Sequence, residues 1–244
     1  MQSKTEAERN ADPSQTGDHT AYELQLVLLA EHKRQLKGIQ SIERKVELKR
    51  ELLPAHAAYL SGILEADKGS NDEVVTTCLL WLLDTGEYIA ALVLAEYCIR
   101  HNLATPDAHQ RTMGTMIAEE VADGYLKSEP VSLEVLEQVQ ALTAEQDMPD
   151  QVRAKLLKAL GYQLREKGDL SGALEYLERA LKLNDKAGVK KDIERLEREI
   201  KKAKDPDAKN QIPDGDGKEA NEQEGEKSPP TDDNKQGTEQ QGQT

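Results

Sequence analysis

Apolar residues recur at helical spacing from about Ala21 to Ala203 and all but vanish outside that span. From Ala21 to Leu53 there is no proline and one glycine, Gly38, and the next residue is Pro54. These positions predict one long helix, stopped where proline cannot continue it. Leu24, Leu28, Ile39, Ile42, Val46 and Leu53 fall within a roughly 60° arc of that helix. So narrow a stripe calls for a partner helix, although His32, Gln35 and Lys49 interrupt it as a coiled-coil seam. Ala55 to Glu65 continues as a shorter helix, and Asp67-Lys68-Gly69-Ser70-Asn71-Asp72 reads as a loop.

Two helical hairpins follow. The segment AKLLKALGYQLREKGDLSGALEYLERALKLNDKA, residues 154–187, has the offsets of a tetratricopeptide repeat. Leu160-Gly161 falls in the first helix, Gly168-Asp169 in the turn, and Ala173, Leu177 and Ala180 in the second helix. Gly161 and Ala173 allow close approach of the two helices, and Gly168 supplies the turn. Residues 73–103 repeat the pattern more loosely, with Gly86 in the register of Gly168 and Ala91, Leu92 and Ala95 in that of Ala173, Leu174 and Leu177. A last amphipathic helix, Val189 to Ala203, sets Ile193, Leu196 and Ile200 on one face and caps the stack. The expected fold is all-α: a long N-terminal helix, tetratricopeptide-like hairpins and disordered termini. The chain divides into a disordered lead (1–20), an N-terminal helical region (21–65), a hairpin region (66–203) and a disordered acidic tail (204–244).

Composition agrees with this. Hydrophobic residues make up 37% of the chain, but aromatics only 3%, with no Phe. Such a core relies on Leu, Ile, Val and Ala, which favours packed helices over a sheet. Cys78 and Cys98 lie within apolar helical patterns and read as small buried hydrophobes, and no spacing supplies a zinc site. No apolar run approaches the roughly 18 residues needed to span a bilayer. The first residues lack the apolar stretch of a secretory signal, so the expected location is the cytoplasm, without membrane contact.

Charge changes the picture more. The net charge of −14 argues against a chain that binds nucleic acid over its whole surface. The distribution is uneven. The tail from Lys204 carries eleven acids against five lysines, whereas Glu31 to Glu51 carries seven Lys or Arg against four Glu. Lys33, Arg34, Lys37, Arg44 and Lys45 share a roughly 120° arc opposite the apolar stripe. With Lys49 and Arg50 they form a candidate phosphate-contacting face. The plain alternative is a solvated helix surface with ion pairs such as Arg44–Glu47 and Glu47–Arg50.

Catalytic chemistry is harder to find. The acidic groups Asp67/Asp72/Glu73, Asp84/Glu87 and Glu119/Glu120/Asp123, and the triplets Glu31-x-Lys33 and Glu47-x-Lys49, are what a Mg²⁺-dependent nuclease would draw on. They fall on helical patterns, away from the strand context of such nucleases. His19, His32, His56, His101 and His109 are scattered, and no glycine-rich phosphate loop precedes a helix. No cofactor or metal is expected; Mg²⁺ enters only with a nuclease reading.

Three runs carry a resemblance: HKRQLKGIQSIERKVELKRELLP, WLLDTGEYIAALVLAEYCIRHNL and DMPDQVRAKLLKALGYQLREKGDLSGALEYLERALKLNDKAGVKKDIERLERE. In this order they resemble the small terminase subunit of temperate contractile-tailed phages, a family also described as the terminase endonuclease subunit. The likeness extends from about Tyr22 to Lys202. It implies a homo-oligomer that recognises double-stranded phage DNA in the host cytoplasm. It also implies hand-over to a large terminase subunit that carries the ATPase motor. The endonuclease label finds no catalytic motif here, which leaves Asp84, Glu87, Glu119 and Glu120 as candidate carboxylates and points to cutting within the complex. The hairpins, alternatively, serve as a protein-docking scaffold without DNA contact.

Overall fold

The computed structural model describes residues 13–106 and 111–204, and every regular element among them is helical. Helix α1 (Pro13–Lys37) is followed by α2 (Ile42–Leu52), a 3₁₀ turn (Leu53–His56) and α3 (Ala57–Ala66). Helices α4 (Glu73–Asp84) and α5 (Tyr88–Arg100) form the first hairpin. Then come α6 (Met113–Leu126), α7 (Leu133–Leu142), α8 (Asp150–Glu166), α9 (Leu170–Leu183) and α10 (Lys190–Lys204). The described residues fall within one compact unit that ends at Asp205.

Helix α4 lies at the centre. Nine of its twelve residues are buried, on every side of the helix, so it needs cover all round. It touches α1, α2, the 3₁₀ turn, α5 and α6. Its start is fixed by Asp72, whose carboxylate accepts from the amides of Val74 at 2.8 Å and Val75 at 3.0 Å. Cys78 and Cys98 are buried in this core, and burial pushes both thiols up to about 12.

The expected single helix from Ala21 to Leu53 is broken. Residues 38–41 leave the helix, and Ser41 restarts it by accepting from the Arg44 amide at 3.3 Å. Helix α1 also starts earlier than expected, at Pro13, a residue suited to a first helical turn. The expected disorder of residues 1–12 and 205–244 lies outside the described residues. The break invalidates the predicted apolar stripe, which assumed one phase across Gly38. Leu24 and Ile42 stay 66% and 80% exposed, while the face of α1 that enters the core is Leu29, His32 and Leu36.

The second hairpin lies where the spacing placed it. A side-chain carbon on Gly161 would meet Leu177 Cδ2 at 2.7 Å and the Ala173 carbonyl oxygen at 3.2 Å, so α8 and α9 are as close as glycine permits. Gly168 makes the turn at φ +89°. Val189, Ile193 and Leu196 of the last segment cover Ala173 and Leu177 and form a smaller second core. Helices α6 and α7 stand between the two hairpins, so the hairpins are not consecutive.

His32, read from sequence as an interruption, is a core residue. His56 Nδ1 lies 2.7 Å from Gln25 Oε1, an acceptor, so His56 carries its proton there and its Nε2 lone pair is free. His32 Nδ1 donates to that lone pair at 3.1 Å. The two rings meet edge to face at 5.1 Å and lean on Trp81 of α4. The chain of bonds pins α1 to the 3₁₀ turn with both imidazoles neutral. Burial pulls both below the ordinary imidazole value, and for His56 a charge on His32 would add to the effect. The unfolded chain therefore binds more protons below about pH 6.5, so stability is full above that value and falls as the pH drops through it. In thermal melts from about pH 7.5 to about 5.5, the wild type is expected to lose more stability than His32→Asn. That variant keeps an N–H donor near the Nδ1 position and cannot titrate.

Candidate nucleic-acid interface

The seven basic residues predicted to face DNA split into two groups. Lys33 pairs with Glu73, in the first turn of α4, at 2.6 Å. Lys49 pairs with Asp84 at the other end of α4, and Arg50 donates to the Thr85 carbonyl at 2.9 Å. These three cations clamp α1 and α2 onto both ends of α4. The remaining four surround the elbow between α1 and α2. Arg34 pairs only with Glu31 of its own helix, and its side chain is 76% exposed. Among the described residues Lys37, Arg44 and Lys45 make no ion pair, and neither of the intrahelical pairs expected for Glu47 forms.

The helix dipole distinguishes these positions further. Arg34 and Lys37 lie in the last turn of α1, where cations are favoured. Arg44 and Lys45 lie at the start of α2, where a cation is disfavoured by about 0.3–1 kcal/mol. Neither recovers that cost through an ion pair among the described residues. Their placement therefore has no explanation in the stability of the fold, whereas an anion at the elbow would give it one.

Of the four candidate carboxylates, Asp84, Glu119 and Glu120 are engaged with cations, and Glu87 is exposed where α5 begins. Asp84 holds Lys49. Glu119 and Glu120 both receive Arg111, at 3.0 and 3.1 Å, and Lys155 binds Asp123 at 2.8 Å and Glu119 at 3.4 Å. Burial raises the Glu120 carboxyl, with Arg111 acting against it and the charge of Asp84 adding to it. Asp67 is bound by Arg100 and His101, and Asp72 caps α4. Among the described residues no group of three or more His, Cys, Asp or Glu is placed to hold a metal ion. No described helix is long and apolar enough to cross a membrane.

One surface escaped the sequence reading. A groove of about 540 Å³ runs between α3 and α5, walled by Ala57, Leu60, Leu64, Ala90, Val93 and Leu94. Its only trace in the sequence is Ile89 and Val93, spaced one turn apart, which are 69% and 53% exposed.

The family described as phage small terminase subunit matches residues 26–151, a span that contains all seven basic positions. The chain is also 45% identical over 207 residues to the "Terminase, endonuclease subunit" of Escherichia phage P2, covering 83% of each protein. The chain belongs to the phage small terminase subunit family. That membership gives the terminase subunit a role in phage DNA packaging. A second relative, the "Probable terminase, endonuclease subunit" of Haemophilus phage HP1 (strain HP1c1), is 26% identical over 181 residues, 66% of this chain and 63% of that protein. No solved structure matches the small terminase chain.

Removing a clamp and removing an elbow cation should differ in stability. Lys49→Met leaves the half-buried Asp84 unpaired and is expected to cost about 1–3 kcal/mol. Lys37→Met and Arg44→Met are expected to stay within about 0.5 kcal/mol of wild type. Denaturant unfolding followed by circular dichroism compares the three, and equal losses would contradict the division.

Proposed function

We propose that this small terminase subunit contacts duplex phage DNA through the elbow residues Arg34, Lys37, Arg44 and Lys45. In this reading Lys33, Lys49 and Arg50 hold the elbow in place on α4. The subunit assembles with copies of itself and presents its hairpins, tetratricopeptide-like in spacing, to the large terminase subunit that drives packaging in the host cytoplasm. The observation that carries the reading is the pair Arg44 and Lys45: two cations at a helix start, across the elbow from Lys37, with no ion-pair partner among the described residues. A phosphate backbone supplies the missing anions, and binding releases its counterions. The excess of positive charge is local, which suits a positioned contact in a chain whose net charge of −14 resists indiscriminate binding.

A second reading has a specific support. The phage P2 relative is named an endonuclease subunit, and Asp84 and Glu120 are near enough to sense each other's charge. Mg²⁺ would then be required, with Asp84, Glu87, Glu119 and Glu120 as its candidates. The pairing of Glu119 and Glu120 with Arg111 favours a structural role for them instead, with cutting performed in the complex with the large subunit. In a third reading the hairpins act as a scaffold and DNA contact is absent.

Fluorescence anisotropy on a labelled duplex separates these. Three to four phosphate contacts per chain predict a slope of log affinity against log salt of about −3 to −4. The triple variant Lys37→Glu, Arg44→Glu, Lys45→Glu is expected to bind at least about tenfold more weakly, with a flatter slope and unchanged helicity. Undiminished binding by that variant would remove the elbow from the reading. The same samples incubated with Mg²⁺ should return intact duplex. Cleavage by the wild type that is lost in Glu119→Ala, Glu120→Ala would move the catalytic role to this chain.

A further inference from the structure

Large apolar side chains left in water mark a surface that another molecule covers. Five are strongly exposed among the described residues, and four of them form two patches. The first patch is Leu24 and Val27, 66% and 71% exposed, one turn apart on α1 and facing away from Leu29, His32 and Leu36. Glu31 and Arg34 continue the same face of α1 toward its C-terminus. The second patch is the groove of about 540 Å³ between α3 and α5, which Val93 lines, together with Ile89 one turn before Val93 on α5. Its walls run from Ala57 to Leu64 and from Ala90 to Leu94, about two helical turns. Arg50 and Glu87 stand at the end near Ala57.

A chain cannot fill its own groove with its own Leu24 and Val27. The middle of α1, at Ala21 and Tyr22, lies against the side of α3 that carries Ala58, Tyr59 and Gly62. The groove uses the opposite side, Ala57, Leu60 and Leu64. At about 100° per residue the centres of these two sides are about 180° apart.

We infer that the groove between α3 and α5 receives α1 of a second copy of this chain, with Leu24 and Val27 as the inserted residues. The groove has room for several such side chains. The charges fit one direction: with the C-terminal end of the incoming α1 toward Arg50 and Glu87, Glu31 faces the arginine and Arg34 faces the glutamate. Leu24 then lies over Leu64 and Val93, and the incoming helix runs antiparallel to α3. A helix of 25 residues is about 37 Å long, so α1 extends past the groove at both ends. A stable pair needs about 800 Å² per partner, so the contact has to continue along α1 beyond the groove. Inserted residues and groove are different surfaces, so the contact is head to tail and each copy can both give and receive. This rests on the reading that the subunit assembles with itself, and it names the surfaces that do so.

The test uses the full chain and two variants at exposed positions, Leu24→Asp with Val27→Asp, and Ala90→Asp with Val93→Asp. Mass by light scattering and sedimentation is read for each, with circular dichroism as the control for folding. The wild type is expected to assemble and each variant to be monomeric. An equal mixture of the two variants is expected to form a dimer, because the intact groove of one meets the intact α1 face of the other. Continued assembly of the groove variant, a mixture that stays monomeric, or a monomeric wild type would each overturn the assignment. DNA contact is scored separately on a short duplex. Complementation without DNA binding keeps this interface and removes the DNA reading, and DNA binding without complementation does the reverse.

Discussion

A helix that is apolar on every side cannot sit at a surface, and α4 imposes that constraint on its neighbours. Its burial draws α1, α2, the 3₁₀ turn, α5 and α6 around it. Only its two ends are charged, and those ends decide what the surrounding cations do. Glu73 takes Lys33, Asp84 takes Lys49, and the carbonyl of Thr85 takes Arg50. The basic residues out of reach of either end are those left over at the elbow. The proposed DNA contact is thus defined by subtraction: the core claims three cations and leaves four.

The parts of the fold that were legible in the sequence are those in which local spacing and tertiary packing agree. The α8–α9 hairpin was placed correctly because Gly161, Gly168 and Ala173 are needed by the pair of helices itself, whatever surrounds it. The loop at 67–72 and the helix from Glu73 were legible for the same reason, since Asp72 caps α4 through its own neighbours. The elbow was missed where the local signal was half present. Ser41 is a good helix cap, but the residue three places on is Arg44, not the Glu or Gln that would complete a capping box. A single glycine at 38 is a cost of about 1 kcal/mol that a helix can absorb, so the pattern read through it. Helices α6 and α7 were not separated because Gly114 and Gly124 dilute the apolar pattern of that stretch.

Other features could not be read from one dimension. His32 counts as polar in any periodic pattern and becomes a core residue only because His56, itself held by Gln25, and Trp81 converge on it. The division of the basic face into clamps and free cations depends on where α4 ends relative to α1 and α2, a tertiary fact. The apolar stripe was misplaced for a related reason: a phase computed across a break assigns exposure to the wrong residues. Leu24, expected to share one stripe with Ile39 and Val46 against a partner helix, is separated from them by the elbow and is 66% exposed on α1.

Helix α1 carries three demands on three parts of its surface. Leu29, His32 and Leu36 belong to the core, Leu24 and Val27 to the proposed neighbour, and Arg34 and Lys37 to the elbow. Arg34 is common to the last two. In the isolated chain it is bound to Glu31, and in the assembled state its guanidinium faces Glu87 of the next copy. Either carboxylate reduces the charge it can offer to a phosphate. Among the described residues Lys37, Arg44 and Lys45 have no such carboxylate. If both proposals hold, assembly changes each copy's own DNA contact through Arg34 alone, and linkage requires DNA to change assembly by the same factor. The local coupling between the two processes is therefore confined to a single exposed ion pair, whose worth is at most about 1 kcal/mol. Beyond that local pair the coupling is avidity, since an assembly offers several elbows to one duplex, and the histidine chain that fixes α1 to the core serves both.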